Sequence, residues 1–120
     1  MEGKILIVDD AAFMRMMIKD TLKKNGYVDI IEAADGEQAV QIYRAEKPDL
    51  VIMDITMPNK NGLEALREIK QIDSNAKIIM CSAMGQESMV VEAIRNGAKD
   101  FIVKPFKADR ILKTVQGIIG

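Results

Sequence analysis

Polar side chains suited to chemistry follow four apolar runs, each about as long as a β-strand. The first run ends in a pair of acids, the second in a single acid, the third in a hydroxyl and the fourth in an amine. In chain order these residues are Asp9 and Asp10, Asp54, Ser82 and Lys104. If the four strands are parallel, their carboxyl ends lie at one edge of the sheet, where α/β proteins bind ligands. The sequence therefore predicts that these side chains surround one crevice.

Each residue also has a purely structural explanation. Asp10 could cap the first helix, Asp54 could be an ordinary loop acid, Ser82 could begin a helix, and Lys104 could be a solvated residue before a proline. Capping and loop preferences account for any one of them. They account poorly for an acid pair, an acid, a hydroxyl and an amine at four strand ends that one architecture brings together, so we favour a functional site.

The charges in the predicted crevice indicate its chemistry. Three carboxylates and one ammonium carry a formal charge of -2, and two like charges about 4 Å apart repel by about 4 kcal/mol at an effective dielectric constant of 20. Mg²⁺ suits such a site because it binds one or two carboxylates and completes its shell with water and phosphate oxygens. A carboxylate could then accept a phosphoryl group. The residue types alone do not choose among Asp9, Asp10 and Asp54 as the acceptor.

The elements that must position these residues alternate along the chain. We predict strands at about residues 4–8, 27–33, 51–54, 78–82 and 101–103, and helices at about residues 11–24, 36–47, 62–72, 86–95 and 108–119. Right-handed crossovers between parallel strands place helices on both faces of a sheet and leave the inner strands apolar throughout. The pattern predicts an α/β fold: a doubly wound, five-stranded parallel sheet.

Local signals support individual helices. Asp35 with Gln38, and Asn61 with Glu64, have the spacing of a capping box, in which the first side chain accepts from the backbone three residues later. The first helix has a stripe of apolar spacing that predicts its buried face: Met14, Met17, Ile18, Thr21 and Leu22. Phe13 and Met16 fall off this stripe beside the acid pair, and we predict that they form an exposed contact patch.

Composition excludes several classes of function. The 120 residues are 48% hydrophobic and carry a net charge of -1, which suits one globular domain over residues 1–120 and gives no indication of nucleic-acid binding. No signal peptide or membrane span is evident, so we expect a cytoplasmic protein. The chain lacks histidine, the usual general base, and its one cysteine, Cys81, lies in an apolar strand, where a buried structural thiol is expected.

At these residues the sequence resembles the receiver domains of two-component response regulators, and among them the stand-alone regulators of chemotaxis. The matching segments span almost the whole chain: Ile7-Val8-Asp9-Asp10, Met53-Asp54-Ile55-Thr56-Met57-Pro58 with Gly62, Cys81-Ser82-Ala83, Gly97-Ala98 and Phe101-Ile102-Val103-Lys104-Pro105-Phe106. The resemblance implies the flavodoxin-like strand order 2-1-3-4-5 and a single receiver domain without an output domain.

The resemblance also implies a role for each acid. Asp54 is implied as the phosphoacceptor. Asp10, Asp54 and the main-chain carbonyl of Thr56 are implied as direct Mg²⁺ ligands, and Asp9 as a ligand acting through water. Mg²⁺ is therefore the expected cofactor.

The remaining implied roles concern the phosphoryl group and the switch. Ser82 and Lys104 would bind the phosphoryl oxygens, the peptide bond before Pro105 would be cis, and Ser82 with Phe101 would form the switch. Ser82 replaces the commoner threonine of the family, and Phe101 replaces the commoner tyrosine. Both replacements keep a competent residue type, but Phe101 has no hydroxyl to bind a partner.

The resemblance implies a signalling protein rather than an enzyme, apart from its own phosphorylation and slow autodephosphorylation. The phosphoryl donor would be a phospho-His of a chemotaxis sensor histidine kinase, and the output would be binding to a flagellar motor switch protein that controls rotation. A phosphatase would reset a monomeric regulator that neither binds nucleic acid nor inserts into membranes. The alternative is a phosphorelay intermediate that passes the phosphoryl group to a histidine phosphotransferase.

The docking face implied by the resemblance comprises the helix at residues 86–95, the last strand and the last helix. We expect four of its side chains to lie outside the buried stripes: Val90, Arg95, Lys107 and Arg110.

Two other classes fit the residues less well. A phosphohydrolase that forms an aspartyl-phosphate would carry a second acid two residues after its nucleophile, but Thr56 stands there after Asp54 and Ala11 after Asp9. A flavodoxin-type cofactor module would have a hydroxyl- and glycine-rich loop after the first strand. The acid pair in that loop would instead repel a phosphate unless a metal intervened.

Overall fold

A computed structural model describes residues 3–120 of the chain. Five strands alternate with five helices: β1 Lys4–Val8, α1 Ala12–Lys24, β2 Asp29–Ala33, α2 Gly36–Glu46, β3 Leu50–Asp54, α3 Gly62–Ile72, β4 Ile78–Ala83, α4 Glu87–Arg95, β5 Asp100–Lys104 and α5 Ala108–Ile119. All neighbouring strands are parallel, and their order is β2-β1-β3-β4-β5. The predicted α/β fold and strand order are confirmed.

Two separate cores cover the sheet because side chains on a strand alternate between its faces. Ile5 and Ile7 of β1 pack beneath α1 and α5, whereas Leu6 and Val8 pack beneath α2 and α3. The inner strands β1, β3 and β4 are therefore apolar on both sides. The edge strands β2 and β5 are only partly buried. Cys81 lies in the α1/α5 core, where burial raises the pKa of its thiol to about 12, so the thiol stays protonated at neutral pH.

Helix α1 buries a narrower stripe than the spacing predicts. Ile18 and Leu22 are buried and Met14 is half-buried, but Met17 is 36% exposed. Residues one position apart on a helix point about 100° apart, and α1 has only α5 beside it on this face of the sheet. The predicted burial of Met17 is therefore wrong. Phe13 and Met16 are exposed, at 68% and 59%, as predicted.

The helix starts follow the predicted capping chemistry. Asn61 and Glu64 form a complete capping box at α3. Asp35 accepts from the Gln38 amide at 2.8 Å, but the Gln38 side chain reaches back to the amide of Ala34 rather than to Asp35. Helix α2 ends at Glu46, before Pro48, and its cap residue Lys47 adopts a left-handed conformation.

Candidate functional site

The acids converge at the carboxyl ends of β1 and β3. These strands are adjacent, with Val8 opposite Met53, so Asp9 and Asp54 lie side by side. Asp9, Asp10 and Asp54 each offer an oxygen within 4.8 Å of the other two. Asp9 and Asp54 are buried, whereas Asp10 is exposed at the mouth of the crevice. The structure thus brings together the three carboxylates that were predicted as metal ligands.

Lys104 extends from the end of β5 across β4 to the acids. Its Nζ donates to Asp9 Oδ2 at 2.9 Å and to Asp54 Oδ2 at 3.0 Å. Burial by itself would lower the Lys104 pKa, but the bonds to the two carboxylates outweigh it and hold the pKa above its usual value. The ammonium is therefore charged and shared between two acids, and it compensates only part of their charge.

For the pKa of Asp54, burial outweighs the favourable contacts. Burial raises the pKa of its carboxyl, and this effect outweighs the stabilisation of the carboxylate by Lys104 and by the backbone amide of Thr56. Asp9 uses its other oxygen, Oδ1, to accept from the Ala11 amide at 2.9 Å. Ionised Asp54 is thus held in an environment that favours additional positive charge.

Ser82 lies at the end of β4, between the acids and β5. Its side chain is 1% exposed, and among the residues that the structure describes its Oγ has no hydrogen-bond partner. A buried hydroxyl without a partner is uncommon and costs free energy. Ser82 therefore has a donor free for a group that enters the crevice. The peptide bond between Lys104 and Pro105, where β5 ends, is cis.

The loop that follows Asp54 is fastened at several points. The Gly62 amide donates to the Ile55 carbonyl at 2.7 Å, and a Cβ on Gly62 would lie 2.2 Å from the Asp54 carbonyl oxygen. Buried Asp35 accepts from Asn59 Nδ2 at 2.8 Å, which ties this loop to the start of α2. No local pattern predicted the contact between Asp35 and Asn59, because the two residues are 24 positions apart.

Thr56 and Gln86 meet across the mouth of the crevice. Gln86 Nε2 donates to Thr56 Oγ1 at 2.7 Å, and Gln86 Oε1 accepts from the Ala83 amide at 2.6 Å. Gln86 was predicted to be the first residue of a helix, but it precedes α4. Sequence reasoning missed this residue, since a glutamine at a helix start has no distinctive pattern.

An apolar groove of about 690 Å³ opens beside Ser82, between α4 and β5. Phe101 lines it and is half-buried against the core, while Val91, Ile94 and Val103 are exposed along it. Met84 is 79% exposed and lines the groove near Ser82.

The predicted exposure of the α4/β5/α5 face is correct for three residues and wrong for one. Arg95, Lys107 and Arg110 are exposed. Val90 is half-buried and packs against the core, because it lies on the inner side of α4, one position from the exposed Val91. None of the described helices is long and apolar enough to cross a membrane.

Comparison with known proteins agrees with this geometry. Residues 5–116 match the response regulator receiver domain. The chain is 66% identical over 115 residues to the chemotaxis protein CheY of Bacillus subtilis, covering 96% of each chain, and 58% identical over 118 residues to the chemotaxis protein CheY of Thermotoga maritima, covering 98% of each. The receiver domain of NtrX from Brucella abortus superimposes with a TM-score of 0.91 at 35% identity, covering 97% of this chain and 98% of that one. This chain belongs to the response regulator receiver domain family and is a signalling protein similar to CheY.

Proposed function

We propose that the protein is a phosphorylation-activated switch in chemotaxis, with Asp54 as the phosphoacceptor. The observation that carries the proposal is the position of Asp54. It is a buried carboxylate within 4.8 Å of two other acids and 3.0 Å from Lys104. On the neighbouring strand, Ser82 has a buried hydroxyl without a partner among the described residues.

The acid cluster suits Mg²⁺. The three clustered carboxylates are accompanied by one ammonium, Lys104, which bonds to two of them. Oxygen ligands with net negative charge are those that a hard divalent cation prefers. Asp10, Asp54 and the Thr56 carbonyl would hold the ion directly, and Asp9 would hold it through water. When bound, Mg²⁺ supplies positive charge for the carboxylates and for phosphoryl oxygens.

In the proposed reaction, an Asp54 carboxylate oxygen attacks the phosphorus of a phospho-His on a sensor kinase. A P–O bond forms as the P–N bond breaks, and the bonding pair returns to the imidazole nitrogen of the kinase. Asp54 needs no base because a carboxylate is already ionised at neutral pH. Lys104 and Ser82 would donate to the transferred oxygens, so apart from the Asp54 nucleophile the chain would contribute position and charge.

The phosphoryl group would change the surface through Ser82. A Ser82 hydroxyl drawn towards new anionic oxygens gains a charge-assisted hydrogen bond, and the balance between the two conformations shifts by that difference. Phe101 lines the same groove and can move into the vacated space, because it has no hydroxyl that burial would leave without a partner.

The groove beside Phe101 suits an amphipathic segment of a flagellar motor switch protein. Its walls are apolar, and the exposed cation Arg95 lines it. The exposed cations Lys107 and Arg110 lie at the start of the adjoining α5. Such a surface favours a helix with one apolar face and acidic residues beside it. We also propose that the chain acts in the cytoplasm, as a single monomeric domain over residues 1–120, and is reset by a phosphatase.

A binding titration tests the proposal. A labelled flagellar switch peptide is added to the protein with Mg²⁺, with and without beryllofluoride as a substitute for the phosphoryl group. We expect tighter binding with beryllofluoride and a smaller increase in Phe101→Ala, which should still be phosphorylated on Asp54. Val28→Ala, at an exposed apolar position outside the groove, is the control.

Two outcomes would change the proposal. Equal peptide binding with and without beryllofluoride would exclude the groove as the output surface. Rapid transfer of the phosphoryl group from Asp54 to a histidine phosphotransferase, without any gain in peptide affinity, would favour the phosphorelay intermediate.

A further inference from the structure

Gln86 joins the two loops that border the proposed phosphorylation site. The first loop, residues 55–61, follows Asp54, and the second, residues 84–86, follows β4. The side-chain amide of Gln86 donates to Thr56 Oγ1 at 2.7 Å, and its carbonyl accepts from the backbone amide of Ala83 at 2.6 Å. Both polar atoms of one side chain are thus used in a single bridge between the loops.

The two anchors of this bridge adjoin the reactive residues. Thr56 follows the proposed acceptor Asp54 by two positions, in the loop that begins there. Ala83 follows Ser82 directly and lies opposite Lys104 in the register of β4 and β5. The bridge therefore connects a neighbour of the proposed acceptor with a neighbour of the hydroxyl proposed to bind its phosphoryl group.

The side chain of Gln86 does not cap helix α4. Gln86 occupies the N-cap position of α4, but its side chain caps none of the described helix amides. A side chain at this position usually accepts from the amides of the first turn. Here the side-chain carbonyl accepts from the end of the preceding strand instead. The contacts of Gln86 therefore connect the two loops rather than cap the helix.

We propose that Gln86 is a positioning residue that holds the 84–86 loop in its unphosphorylated arrangement and competes with the phosphoryl group for the Ala83 amide. The inference rests on the proposed function, in which Asp54 carries that group. A phosphoryl group adds anionic oxygens beside Ser82, and the Ala83 amide is the next backbone donor along the chain. Hydrogen bonds to an anionic oxygen are roughly twice as strong as those to a neutral amide carbonyl. The anion therefore displaces Gln86, and the bridge to Thr56 is released with it.

Removal of the competitor should make the anion bind more tightly. In Gln86→Ala the Ala83 amide has no side-chain partner before the anion binds. The anion then binds without first breaking the hydrogen bond between Ala83 and Gln86. We expect the Kd of beryllofluoride, measured with saturating Mg²⁺, to fall by about three- to tenfold. The Kd of Mg²⁺ alone should stay unchanged, because Gln86 contacts none of the three clustered acids in the structure. A merely structural role for Gln86 would not separate the two constants in this way.

A double-mutant cycle tests whether the bridge acts as one unit. Thr56→Val removes the Oγ1 anchor and keeps the backbone of residue 56. Gln86→Ala combined with Thr56→Val should bind beryllofluoride no more tightly than Gln86→Ala alone, because residues that share one contact have non-additive effects. Ser88→Ala, at an exposed position in the first turn of α4, is the matched control and should bind like the unaltered protein.

Nuclear magnetic resonance follows the exchange of partners directly. In the unaltered protein, beryllofluoride should shift the side-chain amide resonances of Gln86 as the bridge breaks. The Ala83 amide should exchange with solvent faster in Gln86→Ala than in the unaltered protein, and beryllofluoride should remove that difference. Unshifted Gln86 resonances would show that the bridge persists and would overturn the inference.

The remaining outcomes separate the inference from the proposed function. Equal or weaker beryllofluoride binding by Gln86→Ala, or additive effects in the cycle, would overturn the role of Gln86 and leave Asp54 as the acceptor. A failure of every variant and of the unaltered protein to bind beryllofluoride with Mg²⁺ would overturn the proposed function, and the inference with it.

Discussion

Neutralising Asp54 should stabilise the protein when no divalent cation is present. Asp54→Asn keeps the size of the side chain and an oxygen that can accept from Lys104, but it removes one of three clustered charges. Lys104 keeps its bond to Asp9 at 2.9 Å, so no buried ammonium is left alone. The change therefore tests whether repulsion and burial outweigh the attraction between Asp54 and Lys104.

The magnitude follows from the distances. At an effective dielectric constant of 20, the 3.0 Å contact with Lys104 is worth about 5.5 kcal/mol, and a like charge at 4.8 Å repels by about 3.5 kcal/mol. Burial is the largest effect that opposes ionisation of Asp54, and repulsion by Asp9 at 4.8 Å or less adds to it. The raised pKa of Asp54 shows that the unfavourable effects are larger. We expect Asp54→Asn to gain about 1–2 kcal/mol, or ~4–8 °C in Tm for a domain of this length.

The gain should depend on pH in a defined direction. The Asp54 pKa in the folded state lies above its ordinary value of 3.8, so the ionised form opposes folding. This destabilisation is complete above the folded pKa and disappears as the pH falls towards 3.8. The unaltered protein and Asp54→Asn should therefore differ most near neutral pH and converge in acid.

Urea denaturation in EDTA and in Mg²⁺ provides the assay. Mg²⁺ at a hundred times its Kd should stabilise the unaltered protein by about 2.7 kcal/mol and Asp54→Asn by much less, so the order of stability should reverse. If Asp54→Asn is the less stable protein in EDTA at pH 7, the ion pair with Lys104 outweighs the repulsion and the reasoning is refuted.

Three further predictions concern single residues. Asp10→Asn should raise the Kd of Mg²⁺ by about tenfold or more, since carboxylates are the preferred ligands, whereas Asp20→Asn, at an exposed acid in α1, should leave it unchanged in calorimetry. Met84→Glu should accelerate loss of the phosphoryl group by a factor on the order of ten, because a carboxylate can orient an attacking water. Release of radiolabelled phosphate measures the rate, and equal rates in the two proteins would show that Met84 points away from the site. Gly62→Ala should destabilise by about 1–3 kcal/mol in denaturation, because its Cβ would lie 2.2 Å from the Asp54 carbonyl oxygen. Gly117→Ala in α5, where a Cβ would meet no atom of the described residues within 4 Å, should stabilise by about 0.5–1 kcal/mol.

The roles of the acids illustrate how far sequence reasoning reached. Residue types at four strand ends predicted one crevice, and the structure brings Asp9, Asp54, Ser82 and Lys104 to it. The choice of Asp54 as acceptor came from the family resemblance and stays a prediction. The structure adds that Asp54 is buried and Asp10 exposed, a difference that depends on how far each strand end projects and that no local pattern encodes.

The amino-acid sequence by itself determined the elements and their order. The spacing of apolar residues, the Asn61 cap and the turn residues between segments act over a few positions, so they can be interpreted without the rest of the chain. The alternation of strands and helices then restricts the topology, because right-handed crossovers allow few arrangements. Fold class and the edge of the sheet that carries the site follow from these local features.

Only the tertiary structure decided how individual side chains are used at that edge. Lys104 is shared by Asp9 and Asp54, which lie 95 and 50 positions away, and Gln86 reaches Thr56 across 30 positions. Met17 is exposed because α1 has a single helical neighbour on its face of the sheet. These outcomes depend on angstrom-scale distances between elements that are remote in the chain, and such distances are set by packing of the whole domain rather than by any local periodicity.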